Sequence, residues 1–248
     1  MIVLFSDFGL VGPYTGQMKA VLHRDAPDHP IIDLFADAPA HDPMRAAYLL
    51  AAYAGEFPEE TVFLCVVDPG VGGTRKPLVV EIGKRWFVGP GNGLFELLIR
   101  RAMEAVSCWE ITWRPQQMSA SFHGRDLFAP TAAKIACGEQ PPGSPGYELQ
   151  TLEEVRYPEW PDDLSEIIYI DEFGNAMTGM RAKSVPDSSG LILGGISIPR
   201  AETFSSVSPG EMFCYENANG LLEIAVNKGR AAEQRGVKLG EKVVVSEL

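Results

Sequence analysis

Cysteine is scarce and scattered in this chain. Cys65, Cys108, Cys137 and Cys214 stand far apart, so neither a CxxC pair nor a zinc-ligand spacing exists. They read as reduced, mostly buried thiols. Positive charge is in deficit. Lys and Arg number 21 against 33 Asp and Glu, for a formal net charge of -12. That balance argues against nonspecific nucleic-acid binding and against attachment to anionic membrane surfaces. Long hydrophobic runs are missing, and nothing approaches the roughly 20 apolar residues of a membrane span. The chain opens directly on a strand, Met1 to Phe5, so no signal peptide is expected and the cytoplasm is the expected location. There is no P-loop, no GxGxxG after the first strand and no HExxH.

What is present is ordinary for a soluble globular protein. The 248 residues are 46% hydrophobic and 22% charged, enough for one large domain or two modest ones. The first half alternates strand and helix patterns. Strands are predicted at 2–5, 31–34 and 61–67, with a pair at 77–82 and 85–88 around the Gly83-Lys84 turn. Helices are predicted at 13–23, at 43–53 with Asp42 as cap, from Leu94 to about Ala105, and from Asp126 or Leu127 to Cys137. This alternation predicts an α/β domain with a mostly parallel central sheet, over residues 1–150. Proline and glycine crowd residues 140–146, and prolines recur at 158 and 161. Residues 151–162 read as a linker. Short strand candidates at 167–170, 191–193, 212–215, 221–226 and 242–245 then predict a small all-β, barrel-like domain over 163–248.

Three polar groups fall at strand or helix ends of the first domain. Thr61 to Val67 is an apolar run that ends on Asp68. Pro69 biases Asp68 toward extended backbone. Gly70, Gly72 and Gly73 follow, with Arg75 just beyond. Glycines there permit a sharp turn and close approach of a ligand. On spacing alone the pair is either a site or a turn held by an ion pair. Asp7, after the first strand, is placed either to accept hydrogen bonds from a ribose diol or to cap a turn. His123, beside Gly124 at a helix entrance, is a base, an orienting group or a structural histidine. In the second domain Asp171-Glu172-Phe173-Gly174-Asn175 follows an apolar strand. It reads as a hairpin turn, or as a site with Asn175 reading a base edge and Phe173 beside it. Asn227 is a weaker signal of the same kind. No metal-ligand set and no cofactor motif is evident.

Six motifs in order carry a resemblance that spacing alone does not. SDFG at 6–9, VVDPGVGGTR at 66–75, VGPGNGLF at 88–95, FHGRDLFAP at 122–130, IDEFGNAMT at 170–178 and LEIAVNKGRAA at 222–232 span nearly the whole chain. Together they resemble the S-adenosyl-L-methionine (SAM) hydroxide adenosyltransferases, adenosine-forming SAM hydrolases related to the SAM-dependent fluorinase and chlorinase. The resemblance implies an Asp–Arg–His set at Asp68, Arg75 and His123, a ribose-binding Asp7, and SAM-site residues Asp171, Phe173 and Asn175. It implies SAM as substrate and no cofactor. It also implies a homotrimer, with SAM between the N-terminal domain of one subunit and the C-terminal domain of its neighbour. The halogenating relatives lack the Asp–Arg–His set, so water is the implied nucleophile. Two departures stand out. Pro39-Ala40-His41-Asp42 lies where an aromatic residue is usual, so either His41 substitutes for it or the pocket wall differs, and the glycine loop reads GPGNG where an aspartate is frequent before Asn92.

Overall fold

The apolar, β-branched runs near the N-terminus fold as strands, because their alternating side chains can be buried on both faces of a sheet. The computed structural model describes residues 1–234 and 236–246. It divides into two units, Met1–Glu159 and Trp160–Leu248, at a point inside the stretch read as linker.

The first unit runs β1 (Ile2–Ser6), α1 (Tyr14–Asp25), β2 (Ile31–Phe35), α2 (Pro43–Tyr53), β3 (Val62–Val66), β4 (Pro77–Ile82), β5 (Arg85–Pro90), α3 (Glu96–Arg101), β6 (Val106–Ile111), α4 (Ala129–Ala136) and β7 (Tyr147–Leu149). One seven-stranded sheet takes the order β2-β1-β3-β5-β4-β6-β7. β1 is parallel to β2 and β3, and β3 to β5, while the β5–β4, β4–β6 and β6–β7 pairs are antiparallel. Five of the seven strands thus point one way, and the sheet is mixed but largely parallel. One face is packed by Ile2, Leu4, Val62, Leu64 and Val66 against Met18 and Leu22 of α1 and Ala132, Ala133 and Ile135 of α4. Burying each such large side chain is worth roughly 1.5–3 kcal/mol. Phe63 and Phe87 stack at 4.7 Å, and Phe5 meets Phe35 edge-on at 5.5 Å.

Two helix readings change. The helix expected from Leu94 to about Ala105 is six residues long, Glu96–Arg101, and is followed by β6. The Val106–Ile111 run pairs with β4 from Leu78↔Glu110 to Ile82↔Val106, and that ladder claims it. The helix expected from 126 begins instead as a π-helical turn over Gly124–Phe128, closed by the Ala129 amide on the Gly124 carbonyl. Pro130 has no amide hydrogen for the regular helical register, so a wider turn at this junction leaves one fewer unmet bond. Residues 152–159 belong to the first unit: buried Glu96 accepts from the Arg156 guanidinium at 2.8 and 3.0 Å and from the Tyr157 amide at 2.8 Å.

The second unit contains β8 (Leu164–Ile170), β9 (Ala176–Arg181), β10 (Gly190–Leu193), β11 (Ile196–Ile198), β12 (Met212–Glu216), β13 (Leu221–Val226) and β14 (Val243–Ser246). Its sheets are β12-β13-β9-β8 and β11-β10-β14. Bridges Glu166↔Lys242 and Arg200↔Cys214 join them at both ends, which gives a barrel-like closure around one core. β9 escaped the sequence reading because AMTGMR holds a glycine and no β-branched run. Gly179 is needed there, since a Cβ would lie 2.7 Å from that of Leu164. Among the described residues, no helix is long and apolar enough to cross a membrane.

Candidate active site

In an open α/β sheet, ligands gather where adjacent strands send their connections to opposite sides, at the carboxyl ends. The order β2-β1-β3 places that point between β1 and β3. Asp7 directly follows β1, and Asp68 lies two residues past the end of β3. Both line one cavity of about 280 Å³, together with Phe8, Tyr14, His41 and His123.

Arg75 folds back from the glycine turn onto Asp68. Its Nε donates to Oδ1 and Oδ2 at 3.0 and 3.1 Å, and Nη2 donates to Oδ2 at 2.5 Å. The same Nη2 meets Nδ1 of His123 at 2.9 Å. The guanidinium also lies 5.2 Å from the Phe128 ring centroid. All three polar side chains are largely buried, with Asp68 at 4%, Arg75 at 10% and His123 at 9% exposure. A guanidinium has only donors, so Nδ1 accepts and the neutral ring carries its proton on Nε2. Burial first, and the Arg75 charge second, hold the His123 pKa below the ordinary imidazole value.

The loop carrying His123 is fixed from two sides. Asp126 accepts from the Ser119 amide at 2.7 Å and pairs with Arg125, which also donates to Gln17 at 2.8 Å. Gly72 of the Asp–Arg turn backs onto the same loop. Its φ is +78°, and a Cβ there would stand 2.6 Å from the Ala120 carbonyl oxygen. The Asp–Arg turn and the histidine loop are therefore packed backbone to backbone.

Asp7 is held by the His41 amide at 2.9 Å. Burial raises its pKa, against the pull of that hydrogen bond. His41 reaches this position at φ +58°, unusual for a residue with a side chain, and its imidazole is 83% exposed beside the cavity. Phe8, Tyr14 and Phe122 form an aromatic wall, with centroids 5.4 to 5.7 Å apart. The sequence reading did not single out these three. Their signal was adjacency, since Phe8 and Phe122 each neighbour a residue that it did single out.

In the second unit Asp171 accepts from the Asn175 amide at 2.8 Å and from its Nδ2 at 3.1 Å. That closes the β8–β9 hairpin and leaves Phe173 75% exposed at its tip. Arg230 and Ala232 brace the hairpin through the Glu172 and Gly174 carbonyls. Asn227 follows β13, and its amide donates to the Val207 carbonyl at 2.7 Å.

Fold and site together define an α/β protein with an ion-paired acid, a guanidinium and an imidazole over a cleft at its sheet's switch point. The chain belongs to the SAM hydroxide adenosyltransferase family: the family's N-terminal domain matches residues 2–144 and its C-terminal domain residues 165–244. It is 37% identical to the (R)-S-adenosyl-L-methionine hydrolase of Thermus thermophilus, over 98% of each chain. It is 24% identical to the fluorinase of Nocardia brasiliensis, over 99% of this chain and 96% of that one. A crystal structure of an uncharacterized conserved protein from Thermotoga maritima matches with a TM-score of 0.86 at 30% identity, covering all of both chains.

Proposed function

We propose that this protein hydrolyses SAM to adenosine and L-methionine, with Asp68, Arg75 and His123 acting on water at the ribose 5′ carbon. The oxygen of water forms a bond to C5′ as the C5′–S bond breaks. Its electron pair returns to sulfur, methionine leaves as a neutral thioether, and one proton is released. No general acid is needed for that leaving group. The observation that carries the reading is Arg75, clamped between Asp68 and His123 in one largely buried cluster on the cavity that Asp7 also lines.

The hydrogen-bond directions divide the labour. Nδ1 of His123 is engaged by Arg75, so the ring acts as a donor through Nε2–H. Asp68 is the one anion in the trio, and a carboxylate keeps lone pairs beyond those that Arg75 uses, so it takes the proton. Arg75 and His123 stabilise the developing hydroxide. Asp7 holds the ribose diol, and the wall of Phe8, Tyr14 and Phe122 shields the cleft from water.

The substrate's sulfonium configuration is R, as in the name of the Thermus relative. The far lower identity to the fluorinase supports water over halide. Asp171, Phe173 and Asn175 complete the site from a neighbouring copy in a homotrimer. An exposed Phe173 supports this, as does a cavity of about 280 Å³, just under the range of about 300–1,000 Å³ for small-molecule sites. Asn227 belongs to the same substrate-binding surface.

The test is to incubate the protein with each sulfonium epimer separately, with and without chloride, and to identify the nucleoside released. Adenosine from the R epimer, indifferent to chloride, is expected. 5′-Chloroadenosine would replace the hydrolase reading with a halide transferase, and no turnover would leave only a binding protein.

A further inference from the structure

The reaction proposed above depends on where Asp68 and Arg75 sit, and the segment between them is rich in glycine. Something must hold its ends. β3 pairs with β5 only from Val62↔Trp86 to Leu64↔Val88, so Val67 lies beyond that ladder. On the β1 side the last contact is the Asp7 amide on the Val66 carbonyl, at 3.4 Å. The Val67 carbonyl, one residue before Asp68, instead accepts from Nδ2 of Asn92 at 2.9 Å. Next to Asn92, the Gly91 amide donates to the Lys76 carbonyl at 2.8 Å, one residue after Arg75. Two consecutive residues of the GPGNG loop thus grip both ends of the 68–75 segment.

The geometry leaves little freedom in this grip. A Cβ on Gly91 would stand 2.8 Å from both the Lys76 carbonyl oxygen and Leu78 Cδ1, so glycine lets the loop of this chain lie directly against residue 76. Asn92 is partly buried, and its Oδ1 accepts from the Leu94 amide at 3.4 Å, which orients the side chain with Nδ2 toward Val67.

We propose that Asn92 is a positioning residue for this reaction: with Gly91 it clamps residues 67 and 76, and so fixes the Asp68–Arg75 pair against His123. The inference rests on the hydrolase reading. Asn92 touches none of the reacting atoms and acts through the strand end that carries Asp68. A carboxylate at 92 keeps the shape and the Leu94 contact but turns the Val67 contact from donor–acceptor into repulsion between oxygens.

The test compares Asn92→Asp and Asn92→Ala with wild type in SAM turnover, adenosine binding by calorimetry and thermal melting. Wild type that releases no adenosine from SAM would sink the hydrolase reading itself, separately from this one. Given wild-type turnover, both variants are expected to lose about tenfold or more in kcat per adenosine-binding site, since small misplacements of reacting groups are costly. KM and adenosine affinity should stay within about threefold, because binding and positioning draw on different groups. In an Asp68→Asn background, the loss on adding Asn92→Asp should shrink to about twofold or less, as expected for residues acting as a unit. An unchanged kcat per binding site, a loss fully accounted for by fewer binding sites, or an undiminished loss in the Asp68→Asn background would each overturn the clamp. If Asn92→Asp does not fold, Asn92→Ala carries the same comparison.

Discussion

His123 has one ring nitrogen engaged by Arg75, and that fixes what the ring can do. Burial and the guanidinium both favour the neutral form. The sign follows: a pKa held below the ordinary 6.5 keeps the imidazole uncharged as pH falls through that value, and protonation comes only lower. kcat should therefore stay level through pH 6.5, with its acid limb centred below it. A limb at or above 6.5 in a pH–rate profile contradicts a neutral ring whose Nδ1 accepts from Arg75. Asp68→Asn removes the proposed proton acceptor while keeping the shape. It should lower kcat on the order of 100-fold or more, with adenosine affinity nearly unchanged, measured by product release and calorimetry. His41 contributes through its backbone: its amide holds Asp7, and its φ of +58° is the conformation glycine adopts freely. His41→Gly should keep or gain stability, by about 1 kcal/mol at most after the entropy that glycine adds to the unfolded chain. A large loss in chemical denaturation would contradict that.

Between elements, the contact that matters is Gly72 against Ala120. A methyl at 72 collides with a backbone carbonyl and must hold a left-handed φ. Gly72→Ala should cost roughly 1–3 kcal/mol and displace His123 from Arg75. Denaturation and a crystal structure would check both. Glu96 ties α3 to residues 156–157. Burial raises its pKa, but Arg156, the Tyr157 amide and Arg100 outweigh that and leave it below 4.5. A lowered carboxylate pKa stabilises the fold above the unfolded value and loses that contribution as pH falls through the folded one. Glu96→Ala should cost roughly 3–5 kcal/mol near neutral pH, with the gap to wild type narrowing in acid. An equal gap at pH 3 and pH 7 would contradict this. Here the limits of sequence reading are physical. Ile2–Ser6, Pro43–Tyr53 and Leu221–Val226 were legible because composition, caps and period agree. β6 was not, since its partner β4 lies more than twenty residues upstream. Nor was β9, whose glycine serves packing under Leu164. On spacing, the turn at Val66–Arg75 left a site and an ion-paired turn both open, and nothing in the spacing tied it to His123, 48 residues beyond Arg75; the resemblance implied that set, and the fold supplies the contact. Asn92 stood in a visible glycine loop, but its target, the Val67 carbonyl, leaves no mark in sequence.

The whole molecule carries a formal charge of -12, and its substrate under this reading bears a sulfonium cation. Long-range attraction speeds such encounters and is screened by salt. kcat/KM should fall as ionic strength rises, while kcat holds steady. A salt-independent kcat/KM would mean that the field does not steer the substrate. Sulfonium configuration is a property no motif in the chain announces, because one inverted centre asks only for a different pocket shape. What the full account requires is a particular new bond, from solvent oxygen to the ribose 5′ carbon. Turnover of (R)-SAM in water enriched in heavy oxygen, followed by mass spectrometry of the products, reads that bond. The account predicts one solvent oxygen in the 5′-hydroxyl of adenosine, none in methionine, and labelled adenosine formed on the order of 100-fold more slowly in Asp68→Asn. Adenosine without the label, or a product other than adenosine, would contradict it.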